Sequence, residues 1–249
     1  VNVILPQKMH GIGVRGSDQP LPDRFPVLWL LHGASDDHTI WLRNTSIERY
    51  VSRLGLAVVM PAVHLSSYTN MVHGARYFDY ITDELPAIMR EFFPLSDKRE
   101  DNFVAGLSMG GYGALKIGLS KPENYSAIGC FSAGNFTYRK DKSPVAATRA
   151  SGLASRTEST FGVEDMNELR GTIHDHFWLA EKAVAENKPL PRIFHACGTE
   201  DFLIDNARLT ANWFKNSKFD YEYHEGPGAH TWEFWDEWIQ KYLAWLLKK

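Results

Sequence analysis

Six strand-like runs, at 27–31, 56–60, 102–105, 127–131, 192–196 and 219–224, recur along the chain with helical patterns between them, and this alternation limits the fold more than any other feature. Several of the runs are apolar without alternating. A strand is apolar on both sides when helices cover both faces of its sheet, which is the condition of a mostly parallel, doubly wound α/β sheet. The 249 residues, 44% of them hydrophobic, suffice for one large domain spanning 1–249. The clearest helix is the last, where Trp232, Trp235, Trp238, Ile239, Tyr242, Leu243, Leu246 and Leu247 fall three or four apart behind a candidate cap, Thr231. This stripe reads as core.

The stretch at about 134–191 departs from the pattern. It opens on the polar loop 138–142, shows helical stretches near 166–170 and 177–186, and contains no convincing strand. Inserted between two core strands, it is expected to form a small helical cap over the C-terminal edge of the sheet, where open α/β sheets bind ligands.

The chemistry is carried by Gly106-Leu107-Ser108-Met109-Gly110, a G-x-S-x-G pattern between an apolar strand and a helical stretch at 112–119. The pattern alone is weak, but the strand-turn-helix context is what a nucleophile elbow requires, because the serine must stand proud of a turn too tight for a Cβ on either flank. Gly11-Ile12-Gly13-Val14-Arg15-Gly16 formally matches a dinucleotide-binding motif, yet 17–22 contains Pro20 and Pro22 and cannot open the helix whose N-terminus would hold a pyrophosphate. It reads as a hairpin or loop.

In such a fold the base and acid follow the serine in the order acid, then histidine. Of ten histidines, His230 lies in a glycine-bearing loop after the last strand, with His224 in reserve. Asp201 follows an apolar strand and a turn, which suits a carboxylate that fixes the imidazole tautomer; Glu200 and Asp205 are its rivals. The run 28–34 ends in His32-Gly33-Ala34, so the backbone N–H of Ala34 joins that of Met109 as expected oxyanion donor, and His32 is expected to be a structural hydrogen-bonding residue. Asp36, Trp41, Tyr68 and Tyr77 come from loops near the sheet edge and are candidate substrate contacts, each with plain scaffold as the alternative. His174-Asp175-His176 lacks further clustered ligands and reads as a solvated turn, so no metal is expected.

Together, Leu31-His32-Gly33, Trp41-Leu42, 106–113, 197–201 and 228–232 resemble the esterase D-like group of α/β hydrolases, which also holds S-formylglutathione hydrolases, mycolyltransferases and carbohydrate acyl esterases; the likeness is closest to bacterial tributyrin esterases. The resemblance implies an α/β-hydrolase fold and an intracellular, cytoplasmic carboxylesterase for short acyl esters, acting without a cofactor and often as a homo-oligomer. S-formylglutathione hydrolases usually carry Ser-Gly and a nearby Cys in the oxyanion loop, whereas this chain has His32-Gly33 and no Cys there. Acyl transfer to an alcohol and a non-catalytic binding module are the remaining alternatives.

Composition narrows the partners to a small-molecule ester. Thirty acidic against 27 basic residues leave a formal charge of -3, which gives no field for nucleic acid or an anionic membrane, and no apolar run is long enough to span a bilayer. Cys130 and Cys197 sit in apolar runs as small hydrophobes. The chain opens on the strand-like 1–5 with no initiator Met, so removal of an upstream segment, a signal peptide included, stays open.

Overall fold

The computed structural model describes residues 1–8, 11–13, 16–18, 20–34, 36–138 and 153–247, with the side chains of 153–156 excepted. Seven strands, β1 (Asn2–Ile4), β2 (Val27–Leu31), β3 (Ala57–Met60), β4 (Asn102–Leu107), β5 (Ala127–Phe131), β6 (Arg192–Gly198) and β7 (Tyr221–Gly226), form one sheet in the order β1-β3-β2-β4-β5-β6-β7. Only β1 runs antiparallel, against β3. The other neighbours are parallel. This is the α/β-hydrolase architecture that the alternation implied.

The non-alternating runs have the expected cause. β2, β3 and β5 are buried at every position, and successive side chains feed two separate cores. Val27, Trp29 and Leu31 pack with α3 (Leu85–Phe92), α4 (Met109–Ser120), α6 (His176–Ala185) and α7 (Ile204–Lys215). Leu28 and Leu30 pack with α1 (Ile40–Asn44), α2 (Ile47–Val51) and α8 (Trp232–Leu246). In α8 the aromatic stripe is core as expected, except that Leu247 lies past its end and is exposed. Thr231 holds the N-cap position without a side-chain capping bond.

The edge strand β7 has no fully buried residue and begins two residues later than its apolar pattern indicated. His224, expected at the strand's end, sits two residues inside it, 3.4 Å from Glu222.

Between β5 and β6 the described residues contain helices only: a 3-10 turn at Phe136–Tyr138, α5 (Leu153–Phe161), a second 3-10 turn at Met166–Leu169, and α6. Residues 139–142 of the polar loop lie outside the described residues. α6 is not a cap element: Phe177, Leu179 and Ala180 pack into the sheet core beside α4. The candidate glycine-rich motif shows a turn at Gly11–Gly13, with 14–15 outside the described residues.

Strand order also locates the site. The chain leaves β2 toward β3 on one side, then returns to place β4 on the other, so the connections diverge above the C-terminal ends of β2 and β4 and open a crevice there.

Candidate active site

β4 ends at Leu107, and Ser108 turns the chain into α4 at φ +52°, ψ −118°, a conformation L-residues rarely adopt. The turn closes because its flanks lack side chains. A Cβ at Gly106 would stand 2.5 Å from the Gly110 carbonyl oxygen, and one at Gly110 would stand 2.6 Å from the carbonyl oxygens of Leu31 and His32. The Ser108 N–H donates to Phe131 O, tying the elbow to β5. Strain of this kind persists only where surrounding contacts over-determine it. Here it leaves the hydroxyl half-exposed at the sheet rim.

Two distant loops complete the constellation. Ser108 Oγ lies 2.9 Å from His230 Nε2, and His230 Nδ1 lies 2.9 Å from Asp201 Oδ2. A carboxylate only accepts, so Nδ1 carries the proton, and bare Nε2 is left to accept from the Ser108 hydroxyl. The loops bearing His230 and Asp201 are clamped together: Thr199 N–H and Glu200 N–H donate to Gly226 O and Gly228 O, and the Glu200 carboxylate accepts from Gly228 N–H. Glu200 is thus a loop clasp, while Asp205 points to solvent in the first turn of α7.

Burial would raise the Asp201 carboxyl, whose side chain is fully enclosed, but hydrogen bonds from His230, Ser132 and the Leu203 N–H outweigh it and hold the group below the usual carboxylate value. Ser132 in turn accepts from Trp235 Nε1 at 2.9 Å. The sequence marks Trp235 only as part of the core stripe of the last helix, and Ser132, a small residue just past a strand end, carries no distinguishing signal.

His32 is structural, as expected. Val63 N–H donates to its Nε2, which fixes the tautomer, and Nδ1–H donates to Gly33 O; burial pushes its pKa down. The His32-Gly33-Ala34 junction reaches the nucleophile, since a Cβ on Gly33 would approach Ser108 Cβ to 3.6 Å.

Beside Ser108 opens a cavity of about 220 Å³ whose lining includes Tyr112, Phe136, Phe161, Met166 and Phe202. The four residues expected to contact substrate are not among the described residues that line it. Trp41 is 1% exposed, donates to Leu31 O and packs edge-on against Trp232, so it is core. Tyr68 is a fully buried strut whose hydroxyl donates to His32 O while its ring rests where a Cβ on Gly113 would clash. Tyr77 packs against His64, and Asp36, half-buried with its carboxyl raised by that burial, stays apart from the cavity.

His174-Asp175-His176 is not a solvated turn. Asp175 caps α6 and accepts from Asn135, and His176 is fully buried 4.8 Å from the Tyr112 ring. Among the described residues no cluster of three metal-ligating side chains occurs. Behind the site, Lys116 is buried on α4, where its Nζ donates to Tyr68 O and Thr69 Oγ1 and lies 3.3 Å from His174 Nδ1; burial pushes its pKa down to about 7.

Comparison with known proteins places this geometry. The model of the putative esterase family matches residues 1–246. An acetyl esterase of Caldicellulosiruptor saccharolyticus is 33% identical over 227 residues, 91% of this chain and 85% of its own length. A substrate-bound fluorophosphonate-binding serine hydrolase, FphF of Staphylococcus aureus, is 34% identical with a TM-score of 0.82 over 99% of this chain and 91% of that one. An S-formylglutathione hydrolase, FrmB of the same organism, is 35% identical with a TM-score of 0.79 over 98% and 91%.

Proposed function

This chain belongs to the putative esterase family and is a serine carboxylesterase; from that premise we propose that Ser108, His230 and Asp201 are its catalytic triad and that its substrates are short-chain acyl esters. The observation that carries the assignment is the unbroken contact from Ser108 Oγ through the imidazole to Asp201. Ser108 attacks the ester carbonyl as His230 takes its proton, the proton passes to the departing alcohol, and water activated by the same imidazole then releases the acyl group. Asp201 holds the imidazole with Nε2 bare. The N–H groups of Met109 and Ala34 serve as oxyanion donors; the start of α4 and the contact of Gly33 with Ser108 support that placement. Neither step calls for a cofactor.

Short acyl groups are supported by the cavity, whose volume of about 220 Å³ lies below the roughly 300–1,000 Å³ of pockets that enclose drug-sized ligands. Phe136, Phe161 and Met166, from the helical segment between β5 and β6, would roof the acyl chain. The resemblance supports a cytoplasmic, homo-oligomeric enzyme; no helix among the described residues is long and apolar enough to cross a membrane.

Ser108→Ala is expected to cut p-nitrophenyl acetate hydrolysis about 10⁵-fold or more while leaving the circular dichroism spectrum unchanged. Retention of most of the activity refutes the assignment. The likeness to FrmB favours S-formylglutathione as a second reading. Parallel assays on acetyl, butyryl, octanoyl and feruloyl esters, acetylated sugars and S-formylglutathione decide between them by kcat/KM.

A further inference from the structure

Phe202 has no part in the triad, yet it directly follows Asp201 and its ring lies over the base, with centroids 4.5 Å apart and planes 46° apart. Trp235 also packs against the imidazole, at 4.9 Å, but the two aromatics differ sharply in exposure: Trp235 is 6% exposed and Phe202 is 74% exposed. The residue lines the Ser108 cavity from the acid-bearing loop. Phe136 and Phe161, by contrast, pack against Tyr112 and His174. Among the described residues, the base thus carries beside it a large apolar ring that stays mostly open to solvent.

Proton transfer fixes what passes across that surface. In acylation Ser108 Oγ bonds to the acyl carbon, the bond from that carbon to the alcohol oxygen breaks, and the proton taken from Ser108 moves from His230 Nε2 onto the departing oxygen. The alcohol must therefore leave within hydrogen-bond reach of the imidazole, and its carbon skeleton passes the exposed Phe202 ring beside it. Resting on the esterase reading above, we propose that Phe202 is a specificity-determining residue: its exposed ring is a platform that the alcohol moiety of the ester covers, selecting bulky apolar alcohols over small ones. The selection acts only in acylation, because the alcohol has departed before water attacks, and deacylation is common to all esters of one acid.

Benzyl acetate and methyl acetate share the acyl group, and both release a primary alcohol or methanol that takes its proton from His230, so the ratio of their kcat/KM values isolates the alcohol. Phe202→Ala is expected to lower the benzyl-to-methyl ratio about tenfold, the scale of discrimination a hydrophobic contact supplies. Phe202→Leu restores part of it, and the acid limb of the pH profile stays in place. A ratio unchanged in Phe202→Ala overturns the proposal, as does a displaced acid limb, which would make the ring a tuner of the imidazole. Since the ring is mostly exposed, an unchanged thermal midpoint checks that the variant folds. Failure of the underlying reading looks different: wild-type enzyme that hydrolyses neither ester and is not labelled at Ser108 by a fluorophosphonate sinks both readings, whereas active enzyme with an unaltered ratio sinks only the platform.

Discussion

Beneath the cavity, Gly106 and Gly110 flank Ser108 at positions where an added Cβ would meet backbone at 2.5–2.6 Å, whereas above it Phe136, Phe161 and Met166 contribute apolar surface from a helical segment that could be repacked. The floor is specified by steric exclusion and hydrogen-bond geometry, which tolerate no substitution. The roof is specified by volume, which tolerates many. Catalysis should therefore be brittle to changes below Ser108, and substrate range plastic to changes above it.

The severest test of the floor is Asp201→Asn, which keeps the shape but presents an amide to Nδ1 and stabilises the wrong tautomer; kcat is expected to fall about 10⁴-fold with little change in fold. A loss under tenfold would place the orienting role elsewhere. Gly110→Ala forces a Cβ into the Leu31 and His32 carbonyls, so soluble yield and thermal midpoint should fall together with activity. A stable, active Gly110→Ala protein would end the claim that the floor is sterically closed.

Lys116 joins the two regions, since its Nζ touches the Tyr68–Thr69 backbone turn on one side and His174, from the helical segment, on the other. Its folded pKa of about 7 lies below the ordinary 10.5. Between those values the unfolded chain binds one more proton, so this group makes stability rise with pH, by at most about 1.4 kcal/mol per unit. Denaturant midpoints at pH 7, 8 and 9 should show that slope in the wild type and not in Lys116→Met. An identical slope in both proteins would dismiss it. The smallest effect is expected at the roof, where Phe161→Ala should raise the octanoyl-to-acetyl ratio of kcat/KM about tenfold without lowering acetyl turnover comparably. A loss of turnover as great as that of the floor variants would erase the distinction between the regions.

The same contrast governs what the sequence could disclose. The strands were legible because burial on both faces leaves runs of apolar residues, and Ser108, Asp201 and His230 because fold and chain order leave few loops able to meet. For Trp41 and Tyr68 the sequence leaves substrate contact and scaffold open, because an aromatic near the sheet edge looks the same whether it faces inward or outward, and the structure makes both scaffold. What decides is the partner of its polar tip, Leu31 O for one and His32 O for the other, and pattern does not reveal that. Phe161 and Met166 sit in the segment expected over the sheet edge, but its docking follows no strand register, so pattern does not tell which of its side chains face Ser108. Ser132 and Phe202 are defined by what they touch, through the carboxylate and the imidazole, and local composition is silent on both.

His32 carries a consequence for acid exposure. With one ring nitrogen accepting from Val63 N–H, the ring cannot gain a proton without setting two donors face to face. Burial holds its pKa below that of a free imidazole, so the ring stays neutral through mild acid, and the frame that fixes Gly33 beside Ser108 outlasts a fall in pH that would protonate an exposed histidine.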